Sequence, residues 1–207
     1  MSIYDIDSQR YRLHFLYKIT GIGTRAMAAL QPGDPFNIFG PLGKGFSLDP
    51  SWQNLLVVAR GVGLATLAPL AQMAQQENRR LHAICSARSA EYLLSVDYFR
   101  ELGAAVYSVL DSDGSSDVGK VKNLIVNLIQ QQHIDALFTC GSNRLLKLLQ
   151  DVGQTYNLPG QVALEQQMAC GLGMCYCCVR TFIQNDQPVD LRVCKEGPVF
   201  DLKETIT

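Results

Sequence analysis

The sequence predicts a mixed α/β and β fold: a parallel α/β domain, a β-type segment before it and a small cysteine-rich domain after it. Three observations predict it. From Asn54 to about Gly153, short apolar runs alternate with helical patterns, as strands feeding crossover helices do. The first 46 residues carry β-like runs punctuated by glycine turns. Near the C-terminus four cysteines, Cys170, Cys175, Cys178 and Cys194, are spaced C-x4-C-x2-C-x15-C. The expected domains are therefore 1–50, 51–153 and 154–207, with no internal repeat or low-complexity linker.

In chain order, the N-terminal β-like runs are Tyr11 to Tyr17 and Pro35 to Phe39, separated by Gly21-Ile22-Gly23 and followed by Gly40-Pro41-Leu42-Gly43-Lys44-Gly45. The α/β domain then reads as a strand at Leu55 to Ala59, a helix from about Leu64, a strand at Leu81 to Ala87 and a helix from about Ser89. A strand at Ala105 to Leu110, a helix from about Val118 and a strand at Ala136 to Cys140 complete it. Val121, Leu124, Ile125, Leu128 and Ile129 make one buried stripe on the helix from Val118, a packing face with no cofactor role. Leu55 to Ala74 is apolar enough to raise a membrane question, but Arg60, Gly61, Gly63 and Pro69 break it into strand, turn and helix.

A formal net charge of −1 over 207 residues leaves no basic footprint for nucleic acid, and the length suffices for one large or two small domains. The chain opens without a charged region followed by an apolar one, so the expectation is a cytoplasmic protein with reduced thiols.

The four-cysteine spacing is the plant-type ferredoxin arrangement for a 2Fe-2S cluster, and it implies an electron carrier. Gly171 and Gly173 let the loop fold tightly enough for backbone N–H groups to face anionic sulfur. A structural zinc site usually shows two paired C-x2-4-C units, whereas three of these cysteines crowd one loop. Cys177 lies between two ligand candidates and stays open as a ligand by sequence, while Cys85 in an apolar run reads as a small buried hydrophobe. His14, His82 and His133 have no ligand spacing.

Where the first α/β strand ends, Ala59-Arg60-Gly61-Val62-Gly63 leads into a helix whose free N–H groups suit a pyrophosphate. A Gly-x-Gly turn alone equally serves strand-to-helix geometry. Cys140-Gly141 ends a later strand at the carboxyl edge, where ligands of open α/β sheets bind; a buried strand-end cysteine is the plain alternative.

Assembled, the chain resembles the electron-transfer subunits of NAD-linked dihydroorotate dehydrogenases, ferredoxin reductase-like flavoproteins with an appended 2Fe-2S domain. The resemblance covers essentially the whole chain. It is carried by Gly21-Ile22-Gly23-Thr24, Gly40-Pro41-Leu42-Gly43-Lys44-Gly45-Phe46, Ala87-Arg88-Ser89 with Leu93-Leu94, Asp113-Gly114-Ser115 and Cys140-Gly141. Leu164-Glu165, Met168-Ala169-Cys170-Gly171 and Cys194-Lys195-Glu196-Gly197-Pro198-Val199-Phe200 complete it.

The resemblance implies FAD between a small β-barrel and the α/β domain, with Ser2, Gly21, Gly23 and Thr24 as flavin contacts. It implies NAD beside Gly61, Gly63, Cys140 and Gly141, iron on Cys170, Cys175, Cys178 and Cys194, and a partner dihydroorotate dehydrogenase subunit of pyrimidine biosynthesis. Relatives carry several strands ahead of an Arg-Pro-x-Ser segment, of which Ser2-Ile3 is the remnant here, so the expected FAD-binding barrel is partial. Arg60 stands where a glycine is expected in the NAD loop, and Ser142 where proline usually follows Cys-Gly. Arg60 could pair with phosphate or narrow the site. Two other readings share these residues: a reductase subunit of a different oxidoreductase, and a cluster-bearing module that has lost flavin.

Overall fold

The computed structural model describes residues 1–206. The chain begins with an antiparallel ribbon, β1 (Asp5–Asp7) and β2 (Arg12–His14), and a short helix, α1 (Ile22–Ala28). A βα alternation follows: β3 (Asn54–Arg60), α2 (Gly63–Gln76), β4 (Arg80–Ala87), α3 (Val96–Glu101), β5 (Ala105–Leu110), α4 (Val118–Gln132), β6 (Ala136–Cys140) and α5 (Asn143–Thr155). After β7 (Gly160–Ala163) comes a cysteine-rich loop, a hairpin of β8 (Val179–Gln184) and β9 (Gln187–Arg192), and a last strand, β10 (Val199–Asp201).

Six strands make one sheet in the order β10-β7-β6-β3-β4-β5, parallel throughout except for β10. Apolar runs too short for helices and covered by helices on both faces become buried parallel strands. β3 shows the consequence: Leu55, Val57 and Ala59 join the core beneath α2 and α3, while Leu56 and Val58 join the core beneath α4 and α5. The stripe expected on α4 is buried at Val121, Ile125 and Leu128, with Leu124 and Ile129 packed at its margin. Cys85 is fully buried, and burial pushes its thiol up to about 12.

Several expectations shift. The helix expected from Ser89 starts at Val96, because Ala90–Tyr92 forms a single 3-10 turn and Ser95 adopts the left-handed conformation at φ 63°. Pro35 to Phe39 is not a strand, and Tyr11 to Tyr17 shrinks to β2. The N-terminal β-segment is thus a ribbon and a helix without a closed sheet, and no residue before Leu55 is buried. The expected boundary after 153 falls inside α5, and both β7 and β10 belong to the large sheet.

The cysteine-rich excursion is consequently inserted between two neighbouring strands of that sheet. Its residues Cys178, Phe182, Val193 and Cys194 share a core with Leu146, Leu149 and Val152 of α5. Phe182 lies against Phe200, ring centroids 4.2 Å apart. The Gly43-Lys44 segment braces the exit: Lys44 N–H donates to the Gly197 carbonyl (2.5 Å) and Val199 N–H to the Lys44 carbonyl (3.3 Å). Two of the motifs that carried the resemblance therefore pack on each other.

Phe182 is fully buried at the joint between hairpin and sheet. Phe182→Ala is expected to cost about 3–5 kcal/mol, read from the urea midpoint of the purified protein.

Candidate functional site

The cysteine-rich loop begins where β7 ends, at the same carboxyl edge of the sheet as the turns after β3 and β6. Parallel pairing forces this, since each parallel strand delivers its following loop to one edge. The four spaced cysteines come together as two pairs: Cys170 hydrogen-bonds with Cys175, and Cys178 with Cys194. The loop turns its amides inward as its glycines suggest. Leu172 N–H donates to Cys170 Sγ (3.3 Å) and Cys194 N–H to Cys178 Sγ (3.4 Å). Backbone donors from Cys175 and Leu172, with help from the Cys175 thiol, pull the Cys170 thiol down to about 6, where the thiolate ligand form is accessible near neutrality. Burial, then the Cys178 contact, pushes the Cys194 thiol up.

Among the described residues no three His, Cys, Asp or Glu side chains are grouped for a single metal ion. Two thiol pairs side by side instead match the demand of a binuclear 2Fe-2S cluster, two thiolates per iron, and the donor set fits that group. Cys177 is exposed beside them.

At the neighbouring turn, Gly61 has φ +55° and open space where a Cβ would stand, so a ligand can approach its backbone. Gly63 has a different reason to be glycine: an added Cβ would lie 2.7 Å from the Cys140 carbonyl oxygen, and Gly141 Cα presses on the same spot. The glycines let the turns after β3 and β6 touch. Cys140 is 1% exposed, and burial pushes its thiol up to about 11, so it presents a neutral S–H. Arg60 does not present a free cation. Its Nη1 and Nη2 grip the Asp111 carboxylate at 3.0 and 2.5 Å, and Nη1 also reaches Ser86 Oγ at 3.1 Å. The Arg60 fork, then the Ser116 hydroxyl, holds Asp111 down at about 2.

On the N-terminal side, Ser2 lines an open cavity of about 340 Å³ with Tyr17, Thr20, Val62, Thr66 and Glu165. Ser2 Oγ is 3.0 Å from Thr66 Oγ1, and Thr66 also hydrogen-bonds the Cys140 thiol. One hydroxyl on α2 thereby links a residue expected at flavin to one expected at NAD. A second cavity of about 310 Å³ lies beyond, bordered by Cys140, Gly141, Ser142, Leu164, Glu165 and Arg180. Glu165 borders both. Polar groups along an open cleft between the ribbon segment and α2 fit a flavin nucleotide, and the open Gly61 turn fits a dinucleotide phosphate. Gly21, Gly23 and Thr24 stand apart from the cavity lining, at the start of α1, where Thr24 Oγ1 accepts from Thr20 and Gly21 N–H at 2.9 and 3.0 Å. An added Cβ at Gly21 or Gly23 would meet nothing within 4 Å, which leaves their backbone open to a ligand.

Thr66 and Glu165 were not among the expected site residues. Glu165 had a signal, its place between the end of a strand and the thiol loop; Thr66, within a helical apolar run, had none.

Residues 165–206 match the family described as the iron-sulfur cluster binding domain of dihydroorotate dehydrogenase B. Over nearly the whole chain the similarity extends to proteins named dihydroorotate dehydrogenase B (NAD(+)), electron transfer subunit. That of Caldanaerobacter subterraneus is 31% identical over 202 residues, 97% of this chain and 78% of the relative. That of Bacillus caldolyticus is 31% identical over 210 residues, 100% of this chain and 79% of the relative.

The chain belongs to the family of these electron transfer subunits.

The solved structure of an NADH-dependent reduced ferredoxin-NADP oxidoreductase matches with a TM-score of 0.79 at 25% identity, covering 98% of this chain and 71% of that one. Full-length CYP116B46 from Tepidiphilus thermophilus matches with a TM-score of 0.56 at 17% identity, covering 94% of this chain and 34% of that one, which supports the fold alone. The mixed α/β architecture with a parallel sheet and a C-terminal iron-sulfur domain is thus that of the family.

Two tests follow from the geometry. Gly63→Ala should destabilise by about 2 kcal/mol through overpacking against the Cys140 carbonyl. Gly23→Ala, in open space on α1, should stay within about 1 kcal/mol of the parent in the same thermal unfolding series. For Asp111, the folded carboxyl titrates near 2 against an ordinary 3.8, so its contribution is complete above 3.8 and fades as pH falls towards 2. Asp111→Asn should flatten that acid-side loss in urea midpoints measured across the same window.

Proposed function

We propose that this chain moves electrons between NAD(H), FAD and a 2Fe-2S cluster, to or from a catalytic dihydroorotate dehydrogenase subunit of pyrimidine biosynthesis, in the cytoplasm. The observation that carries it is the meeting, at one sheet edge, of the paired thiols, the Gly61 turn and the Ser2–Thr66–Cys140 chain. Bound FAD supplies the conversion of a two-electron hydride into the single electrons a 2Fe-2S centre carries.

The residues divide that work. Cys170, Cys175, Cys178 and Cys194 hold iron, with the amides of Leu172 and Cys194 directed at ligand sulfur. Ser2 contacts flavin at the cleft, and Gly21, Gly23 and Thr24 meet its phosphate-bearing part from α1. Gly61 and Gly141 offer backbone to NAD, while Gly63 keeps their two turns in contact. Cys140 backs the nicotinamide end of the site as a neutral thiol, its proton retained by burial and its orientation set by Thr66. Arg60, already saturated by Asp111, shapes the nucleotide edge by bulk more than by charge. No helix among the described residues is long and apolar enough to cross a membrane. The exposed Leu172, Met174 and Tyr176 surround the thiols with an apolar face for the partner subunit.

Protein prepared without oxygen together with its partner should contain iron, acid-labile sulfide and FAD, and should couple NAD reduction to dihydroorotate oxidation. Cys194→Ser should lose most of the visible iron-sulfur absorbance while retaining flavin. Full colour and iron content in that variant would remove Cys194 from the ligand set. NADH oxidation without orotate chemistry in any pairing would favour a different oxidoreductase as partner, since none of these residues meets the final substrate.

A further inference from the structure

The cluster reading places three thiols on one loop and the fourth beyond the β8–β9 hairpin, and one side chain spans the gap. Arg192, the last residue of β9, donates from Nη1 to the Gly173 carbonyl in the thiol loop at 3.0 Å. Its guanidinium carbon lies 5.3 Å from the ring centroid of Tyr176 in the same loop. The other edge of the fork holds Glu196, with Nε to Oε2 at 3.1 Å and Nη2 to Oε1 at 2.5 Å. Glu196 Oε2 also accepts the Arg192 N–H at 2.8 Å, and the Arg192 carbonyl accepts from Lys195 and Glu196 N–H at 3.0 and 2.9 Å. Cys194 sits in the middle of this closed turn. Both charged side chains are largely withdrawn from water, at 23% and 26% exposure.

We propose that Arg192 and Glu196 form a positioning pair that brings Cys194 to the three-thiol loop and whose opposed charges balance each other's effect on the cluster's reduction potential. The inference rests on the cluster reading above. A planar fork is suited to the first task, because it can serve a carbonyl on one segment and a carboxylate on another without changing shape. The second follows from electrostatics. Reduction adds one negative charge to the cluster, so a nearby cation favours the reduced form and a nearby anion opposes it. With both present the two effects offset each other. Removing either partner alone should expose the charge of the other.

The test is a redox titration of the anaerobic, cluster-loaded protein, followed by electron paramagnetic resonance, with chelator-driven cluster loss measured in parallel. Arg192→Gln should lower the midpoint potential and Glu196→Gln should raise it, while the double variant returns close to the parent. Arg192→Lys keeps the charge without the fork, so its potential should stay near the parent while the cluster is lost severalfold faster. A purely structural pair would shift neither potential, or both in one direction, and either result overturns the proposal. Should Arg192→Gln fail to hold a cluster, the upward shift of Glu196→Gln and the constancy of Arg192→Lys decide the matter. Parent protein without acid-labile sulfide would sink the cluster reading itself and this role with it. Loaded parent with unshifted variants would sink only the role.

Discussion

The antiparallel pairing of Val199–Asp201 with Gln161–Ala163 is the constraint on which the rest of the structure depends. It returns the chain to the sheet immediately beside the strand from which it left, so the cysteine-bearing excursion is pinned at both ends. A small insertion of this size could not assemble much core alone. It borrows one instead, since Cys178, Phe182, Val193, Cys194 and Phe200 pack into the apolar layer of α4 and α5. Sulfur placement is therefore tied to the packing of the whole α/β unit.

The same sheet gathers the remaining chemistry. Because β3, β6 and β7 run parallel, the Gly61 turn, the Cys140 turn and the thiol loop all emerge on one edge. Close contact between Gly63 and the Cys140 carbonyl leaves little freedom in the spacing of the two turns. At that edge Arg60 is matched by Asp111 and Cys140 keeps its proton. What stays open at the edge is backbone, at the Gly61 turn.

Much of this was legible in the sequence, and the reasons are physical. Ala105–Leu110 and Ala136–Cys140 fall where expected because short apolar runs bounded by turn residues have few alternatives. The stripe on α4 is equally clear, since its period matches the helix. β7 and β10 were hidden, being short strands whose pairing is set by tertiary contact and not by pattern. The helix expected at Ser89 started late because a left-handed Ser95 interrupts it, a backbone choice that no periodicity reports. Arg60 left two readings open, pairing with phosphate or narrowing the site, because its counter-ion is 51 residues away. Thr66 became visible only once folding set its hydroxyl between Ser2 and Cys140.

None of the first 54 residues is buried, and Phe46, Leu48 and Trp52 pack at the margin of the layer beneath α2 and α3, with Phe46 and Trp52 edge-on to Phe138. Away from these anchors and from the Lys44 brace, substitutions there carry a smaller penalty for the remainder of the fold than substitutions in the core. Such an arrangement lets the N-terminal segment tolerate change more readily than the thiol-bearing excursion, which dense packing holds in the opposite core layer.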